Sequence, residues 1–260
     1  MLAKAQIPKS YQDWNRYWGA PFGKRWSRLI PRNCRTLPHL AKHCGFFAFQ
    51  TNNDTRAFEY PWAFSILQSR DGRNLLEIGG GLSGFQFVLD RVGYQVVNVD
   101  PGKSARGRGW PVTVETMTRL NRSFGTKVKL KNCFVEDAMI EDESHDHVVS
   151  ISTIEHLPDR DIEMVLRHVH RMLKPRGLFI VSLDLFLDVE PFASKPTNRY
   201  GKNISVKWLV EQSGLTLVHG NPAELYGFPE FNPIKVQQNR DRYLVGKGYP
   251  AMVQTIVLQK

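Results

Sequence analysis

The feature that most constrains this chain is a glycine-rich turn between two apolar strands. Residues 74–100 read NLLEIGGGLSGFQFVLDRVGYQVVNVD. An apolar run enters three consecutive glycines, an amphipathic segment leaves them, and a second apolar run ends in Asp100. This is the layout of a nucleotide-holding unit. Glycines allow a tight turn and a close approach of backbone to ligand, and an acid closing the next strand is placed to accept from ribose hydroxyls. Gly79, Gly81 and Gly84 satisfy G-x-G-x-x-G, which taken alone reads as a dinucleotide fingerprint.

Glu77 argues for a different nucleotide. It stands two residues before the first glycine, at the carboxyl end of a strand that reads as buried. A carboxylate there repels a pyrophosphate but favours a ligand carrying an ammonium and a sulfonium. S-adenosyl-L-methionine is such a ligand. An outward-facing Glu77 paired with a surface lysine is the structural alternative, and an NAD-dependent dehydrogenase is the rival function.

The pattern on either side extends the unit. Strands are expected at 74–78, 95–99, 128–134, 146–151, 177–183 and 215–219, with AMVQTIVLQ as the last. Helices are expected at 83–92, near 112–122, and at 159–173 and 205–213. Alternating strands and helices imply an α/β fold, a doubly wound and mostly parallel sheet with helices on both faces. No helix separates the last two strands, which favours an antiparallel pair at the end. Residues 1–70 differ in composition. Tyr11, Trp14, Tyr17 and Trp18 fall at helical spacing, as either a packed aromatic stripe or a surface-touching face. A further helix is expected to run from Asp54 or Thr55 to about Gln68.

LEIGGGLSGF, VVNVD, VEDAMI, VVSISTIEHL and MLKPRGLFIVSL occur in that order, and together they resemble the class I S-adenosylmethionine-dependent methyltransferases. The resemblance covers residues 70–185 in motif detail and 205–260 in topology. It implies a seven-stranded Rossmann-like sheet with an antiparallel last strand, an N-terminal helical cap over residues 1–70, and a methyltransferase domain over 71–260. Ser83 stands where the family's E-x-G-x-G-x-G pattern has its third glycine. Carried over by position, Glu77, Gly79, Gly80 and Gly81, with Gly84 following, would flank the methionine part of the cofactor. Asp100 would hold the ribose, and Asp137 and Ala138 the adenine. Arg56 is a candidate for the cofactor carboxylate.

Transfer to a hydroxyl needs alignment with the sulfonium methyl and removal of a proton. ISTIEHL supplies Glu155 and His156 after the fourth strand, and DLFLD supplies Asp184 and Asp188 after the fifth. His156 is the expected base, because imidazole titrates near neutral pH. Capping of the next helix by Glu155 and His156 is the structural alternative. The pair also resembles the E-x-x-E-H of metal-binding O-methyltransferases, with Ser152 in place of the first acid. A Mg2+ site from Glu155, His156 and Asp184 therefore stays open. His145, His168 and His170 read as structural or surface residues.

Aromatic and polar side chains in 1–60, 186–204 and 220–250 mark those segments as the acceptor site, with the last equally suited to a homodimer interface. The expected acceptor is a carbohydrate, glycan or related polar small molecule, with the lysines and arginines suiting an anionic group. The net charge of +10 and the Glu155-His156 signature keep an RNA methyltransferase of the 2′-O type open as the second reading, although the cations are spread over groups such as Lys24-Arg25, Lys103-Arg106-Arg108 and Lys127-Lys129-Lys131. A methyltransferase-like protein that binds without turnover is the third reading. Cys34, Cys44 and Cys133 show no CxxC pairing and read as reduced thiols. The chain has no apolar run of about eighteen residues and no apolar signal core at its N-terminus, so a cytoplasmic location is expected.

Overall fold

The computed structural model describes residues 1–106 and 109–260, with the side chains of Arg32, Asn33 and Pro38 excepted. Arg108, counted above among the cations, lies outside the described residues. Seven strands form one sheet in the order β3-β2-β1-β4-β5-β7-β6. They are β1 (Asn74–Ile78), β2 (Gln95–Val99), β3 (Lys129–Lys131), β4 (His145–Ile151), β5 (Leu173–Phe186), β6 (Thr216–His219) and β7 (Ala251–Gln259). Strands β1 to β5 run parallel to one another, and β7 runs antiparallel between β5 and β6.

Alternation along each strand builds two apolar layers. Leu75, Val149, Ile180 and Val257 face one side. There they meet α4 (Arg56–Gln68), α5 (Gly84–Arg91) and α6 (Val114–Phe124). Leu76, Val148, Val181 and Leu258 face the other, under α7 (Asp159–Met172) and α8 (Val206–Ser213). Side chains covered on both faces explain why β1, β4 and β5 read as near-continuous apolar runs.

The N-terminal helix α1 (Lys9–Trp18) packs by its aromatic stripe. Tyr11 meets Phe58 edge-on at 5.5 Å, and Trp14 lies 5.5 Å from Phe64. Short helices α2 (Arg32–Arg35) and α3 (Pro38–Cys44) follow, and a last short helix, α9 (Pro233–Gln238), precedes β7. Residues 1–3 continue the edge beyond β6: Leu2 bridges Gln254, and the Ala3 N–H donates to the Val253 carbonyl at 2.9 Å.

Two strand lengths differ from expectation. β3 is shorter than 128–134, because it is a sheet edge and Asn132 instead donates its Nδ2 to the Asp100 carbonyl at 2.8 Å. β5 is longer than 177–183, because β7 pairs with it from Leu178↔Gln259 to Phe186↔Ala251.

Candidate active site

From β1 the chain crosses to β2 on one side, while β4 lies on the other, so the carboxyl ends of β1 and β4 flank a crevice at the switch in strand order. The crevice is a cavity of about 480 Å³, a size that suits a small-molecule ligand. Its wall includes Glu77, Gly79, Gly80, Asp100, Arg56, His156 and Asp184. The lining also draws on three separate segments: Phe22 and Asn52 to Asp54, then Tyr200, then Lys247 and Tyr249.

The glycine turn is held open by side chains. Gly79 sits at φ +71°, and a Cβ there would lie 2.2 Å from Thr153 Cγ2. The Gly81 N–H donates to Asp100 Oδ2 at 2.8 Å, and the Gly102 N–H donates to Asp100 Oδ1 at 2.6 Å. Asn98 accepts from the Gly80 N–H at 3.3 Å and donates to the Gly81 carbonyl at 3.0 Å. Gln86 donates to the Gly81 and Ser83 carbonyls at 3.1 and 3.0 Å, and Gln50 accepts from the Leu82 N–H at 2.8 Å. Gln50, Gln86 and Asn98 were not singled out by sequence reasoning. The one available signal was Asn98, a buried amide inside the apolar run VVNVD.

Not every expected residue reaches the wall. Gly81 serves as the anchor point of Asp100. A Cβ on Gly84 would lie 2.6 Å from the Phe47 ring, so that glycine lets α5 approach an aromatic rather than a ligand. Asp137 does not line the cavity: its side chain is exposed, whereas the neighbouring Glu136 lines it. Val135–Asp137 form a single 3-10 turn, where successive side chains point about 120° apart, so one acid faces the cavity and its neighbour does not. Ala138 is buried in the apolar layer beneath α7.

Glu77 is 2 % exposed. Its Oε1 accepts from Ser83 Oγ at 3.0 Å, and its Oε2 has no partner. Burial pushes its carboxyl up to about 8, against the Ser83 hydrogen bond and with a smaller push from Asp100. Burial also raises Asp100, opposed by the N–H groups of Gly102 and Gly81. A buried acid that meets a hydroxyl and another acid, with one oxygen unmatched, is suited to a cation from outside the chain. Arg56 is differently placed. It is paired with Glu59, whose Oε1 accepts from Ser182 Oγ at 2.6 Å.

Beyond β4 lies an acid cluster. Ser152 adopts φ +48°, a left-handed conformation that costs a non-glycine residue about 1–2 kcal/mol. There its Oγ lies 2.7 Å from Glu155 Oε1 and 2.7 Å from Asp184 Oδ2. Tyr249 donates its hydroxyl to Asp184 Oδ2 at 2.7 Å, and the Asp184 N–H donates to Glu155 Oε1 at 2.9 Å. Ser152 has one hydroxyl hydrogen for two carboxyl neighbours, so one carboxyl carries a proton. Burial and the adjacent Asp184 push Glu155 well above the usual carboxylate range. Asp184 lines the cavity, whereas Glu155 lies behind it. His156 is held by the Tyr200 carbonyl at Nδ1. A carbonyl only accepts, so the ring carries a hydrogen on Nδ1. Tyr200 and Tyr249 meet edge-on at 4.3 Å.

One ligand atom from each of Glu155, His156 and Asp184 lies within 4.8 Å of the others. Glu155 Oε2 and Asp184 Oδ1 are buried without partners. These donors suit a hard divalent ion in type and spacing. The neutral Ser152, where related metal sites have an acid, leaves less negative charge to hold one.

A family model described as a methyltransferase domain matches residues 49–219. No curated protein matches the chain. Among solved structures, the PH0226 protein from Pyrococcus horikoshii OT3 is similar at 15 % identity and a TM-score of 0.56, covering 88 % of this chain and 99 % of that one. The N-methyltransferase NodS from Bradyrhizobium japonicum WM9, solved with S-adenosyl-L-homocysteine, is similar at 13 % identity and a TM-score of 0.53, covering 80 % of this chain and 89 % of that one. The cyclase SpnF is similar at 13 % identity and a TM-score of 0.55, covering 100 % and 99 %. At such identities the likeness is one of fold, and the chemistry must be argued from the site.

Proposed function

This chain belongs to the methyltransferase-domain family and is an S-adenosylmethionine-dependent methyltransferase; from that premise we propose that it methylates a hydroxyl of a carbohydrate, glycan or related polar small molecule. The observation that carries this reading is the company His156 keeps. It lines the same cavity as Glu77 and Asp100, beside Asp184 and the Tyr200–Tyr249 pair. A hydroxyl must lose a proton as it attacks a methyl group, and a neutral imidazole with Nε2 unprotonated supplies the base. Aromatic faces beside Asn52, Asn53 and Lys247 suit a sugar ring with a polar or anionic substituent. Residues 1–70 act as the cap, and 186–204 and 220–250 as acceptor-site insertions, each contributing to the rim.

In this reading Glu77 meets the cationic part of S-adenosylmethionine, Arg56 its carboxylate and Asp100 its ribose hydroxyls. Each Asp100 oxygen accepts one backbone N–H and keeps a lone pair for a ligand. Asp100→Ala is expected to weaken S-adenosylmethionine binding by about 10- to 100-fold, one or two charge-assisted hydrogen bonds being lost. Calorimetric affinity equal to that of the unaltered protein would remove the ribose assignment.

Magnesium is the alternative activator. When bound, it would supply Lewis-acid stabilisation of the alkoxide, held by Glu155, Asp184 and His156. With His156 as base, turnover is expected to survive exhaustive chelation. Loss of turnover in EDTA, restored by magnesium, would move those three residues from base catalysis to metal binding.

The acceptor class is tested by following S-adenosylhomocysteine release across sugars, phenols, amines and RNA. Release with a sugar and none with the others is expected. An amine acceptor, in keeping with the name of NodS, is the competing outcome, since a neutral amine attacks without a base.

A further inference from the structure

The positive charge of this protein is less dispersed than its basic residues suggest. Residues 14–53 hold seven Lys and Arg and not one Asp or Glu; the other Lys and Arg nearly balance the 25 Asp and Glu of the chain. Most of the net +10 therefore comes from one segment. Within it, Arg25–Leu29 form a short 3-10 turn in which Ser27 alone is buried, leaving Arg25, Trp26, Arg28 and Leu29 outward. Leu29 is 87 % exposed, Trp26 43 %, Leu37 40 % and Tyr17, at the end of α1, 79 %. The turn is anchored: the Lys24 N–H donates to the Cys44 carbonyl at 2.9 Å, and Ser27 Oγ donates to the Lys24 carbonyl at 2.7 Å. Among the described residues, Lys24, Arg25 and Arg28 take part in no ion pair. Arg28 stacks its guanidinium 5.1 Å over the Phe22 ring, and Phe22 lines the cavity.

We propose that residues 17–37 are a docking surface for an anionic lipid bilayer, seated so that the cavity rim at Phe22 comes to the headgroup layer. Unpaired cations attract anionic headgroups, each contributing a modest, salt-sensitive increment. Cations alone would suit RNA equally well. The apolar side chains distinguish the two: an aliphatic Leu29 set among arginines gains nothing from phosphates and stacks poorly on bases, but it partitions into the hydrocarbon boundary beside Trp26. A single exposed leucine is ordinary on any surface. The proposal rests on exposed Leu and Trp alternating with unpaired Lys and Arg on one anchored turn in an acid-free segment.

The test is sedimentation of the full chain with vesicles of phosphatidylcholine alone, or with about a third phosphatidylserine. The protein is expected to sediment with the anionic vesicles only, and to be released by added salt. Lys24→Glu with Arg25→Glu is expected to weaken partitioning by more than about 20-fold. Trp26→Ser with Leu29→Ser is expected to weaken it by about 10-fold or more. Both variants should keep the melting temperature and S-adenosylhomocysteine affinity of the unaltered protein. Leu29→Ser alone, at the most exposed of these positions, replaces the double variant should that one melt early. Failure to sediment at low salt, or sedimentation untouched by the apolar substitutions, overturns the proposal. So does a labelled single-stranded RNA that binds more tightly than the vesicles and is insensitive to Leu29→Ser, which would assign the surface to nucleic acid. None of these readouts depends on the acceptor.

Discussion

Glu77→Gln is expected to raise the melting temperature of the ligand-free protein while weakening S-adenosylmethionine binding by about 10- to 100-fold. Both effects have one cause. The Glu77 carboxyl is buried, half-unpartnered and pushed up to about 8. An acid whose folded value is raised contributes its full stability below its unfolded value, near 4.5, and loses it as pH rises toward the folded value. At pH 7 the lost stability is about 3 kcal/mol, each unit being worth 1.36 kcal/mol. Glutamine has the same shape and does not titrate. The variant should therefore be more stable than the unaltered protein by about 2–3 kcal/mol at neutral pH, or roughly 5–10 °C in a chain of this length. The advantage should vanish below pH 4.5. Thermal melts across pH 4 to 9 read the window directly. A Glu77→Gln variant that melts lower at pH 7 would mean that the carboxylate already has a cationic partner within the fold.

His156→Ala should lower kcat by roughly 10² to 10⁴-fold, the usual contribution of a positioned base. S-adenosylhomocysteine affinity should change little, because the residues proposed to hold the cofactor are Glu77, Asp100 and Arg56. The split between kcat and affinity separates a base from a residue that merely positions the loop after β4. His156 also touches the Tyr200 carbonyl, so a structural role would disturb the aromatic pair as well. Full activity in His156→Ala would transfer the base role to Asp184, which lines the same cavity beside Tyr249.

The frame around this site is legible in the residues because β1 and β2 are short apolar runs bounded by glycine and an acid. The antiparallel end is legible because no helix separates the last two strands. What was not legible is what only three-dimensional contact creates. Gln50 and Asn98 are far apart in the chain, yet both hold the same turn. The choice between Glu136 and Asp137 depends on which way one 3-10 turn faces, and two neighbouring acids look alike in a sequence. Ser152 reads as a missing ligand of a metal motif; in the fold it is the hydroxyl shared by Glu155 and Asp184. The acid-free stretch was visible in the residues, but its outward Leu29 and Trp26 were not.

The central claim is that Glu77 is a buried acid kept for a cationic cofactor. The most direct test is calorimetric titration of S-adenosylmethionine at pH 7 in two buffers of different ionisation enthalpy. Near neutral pH most of the Glu77 carboxyl holds its proton, and a cation beside it expels that proton. Binding should release close to one proton in the unaltered protein and none in Glu77→Gln. Equal proton release in both, or titration of the cavity by NADH and not by S-adenosylmethionine, would contradict the account.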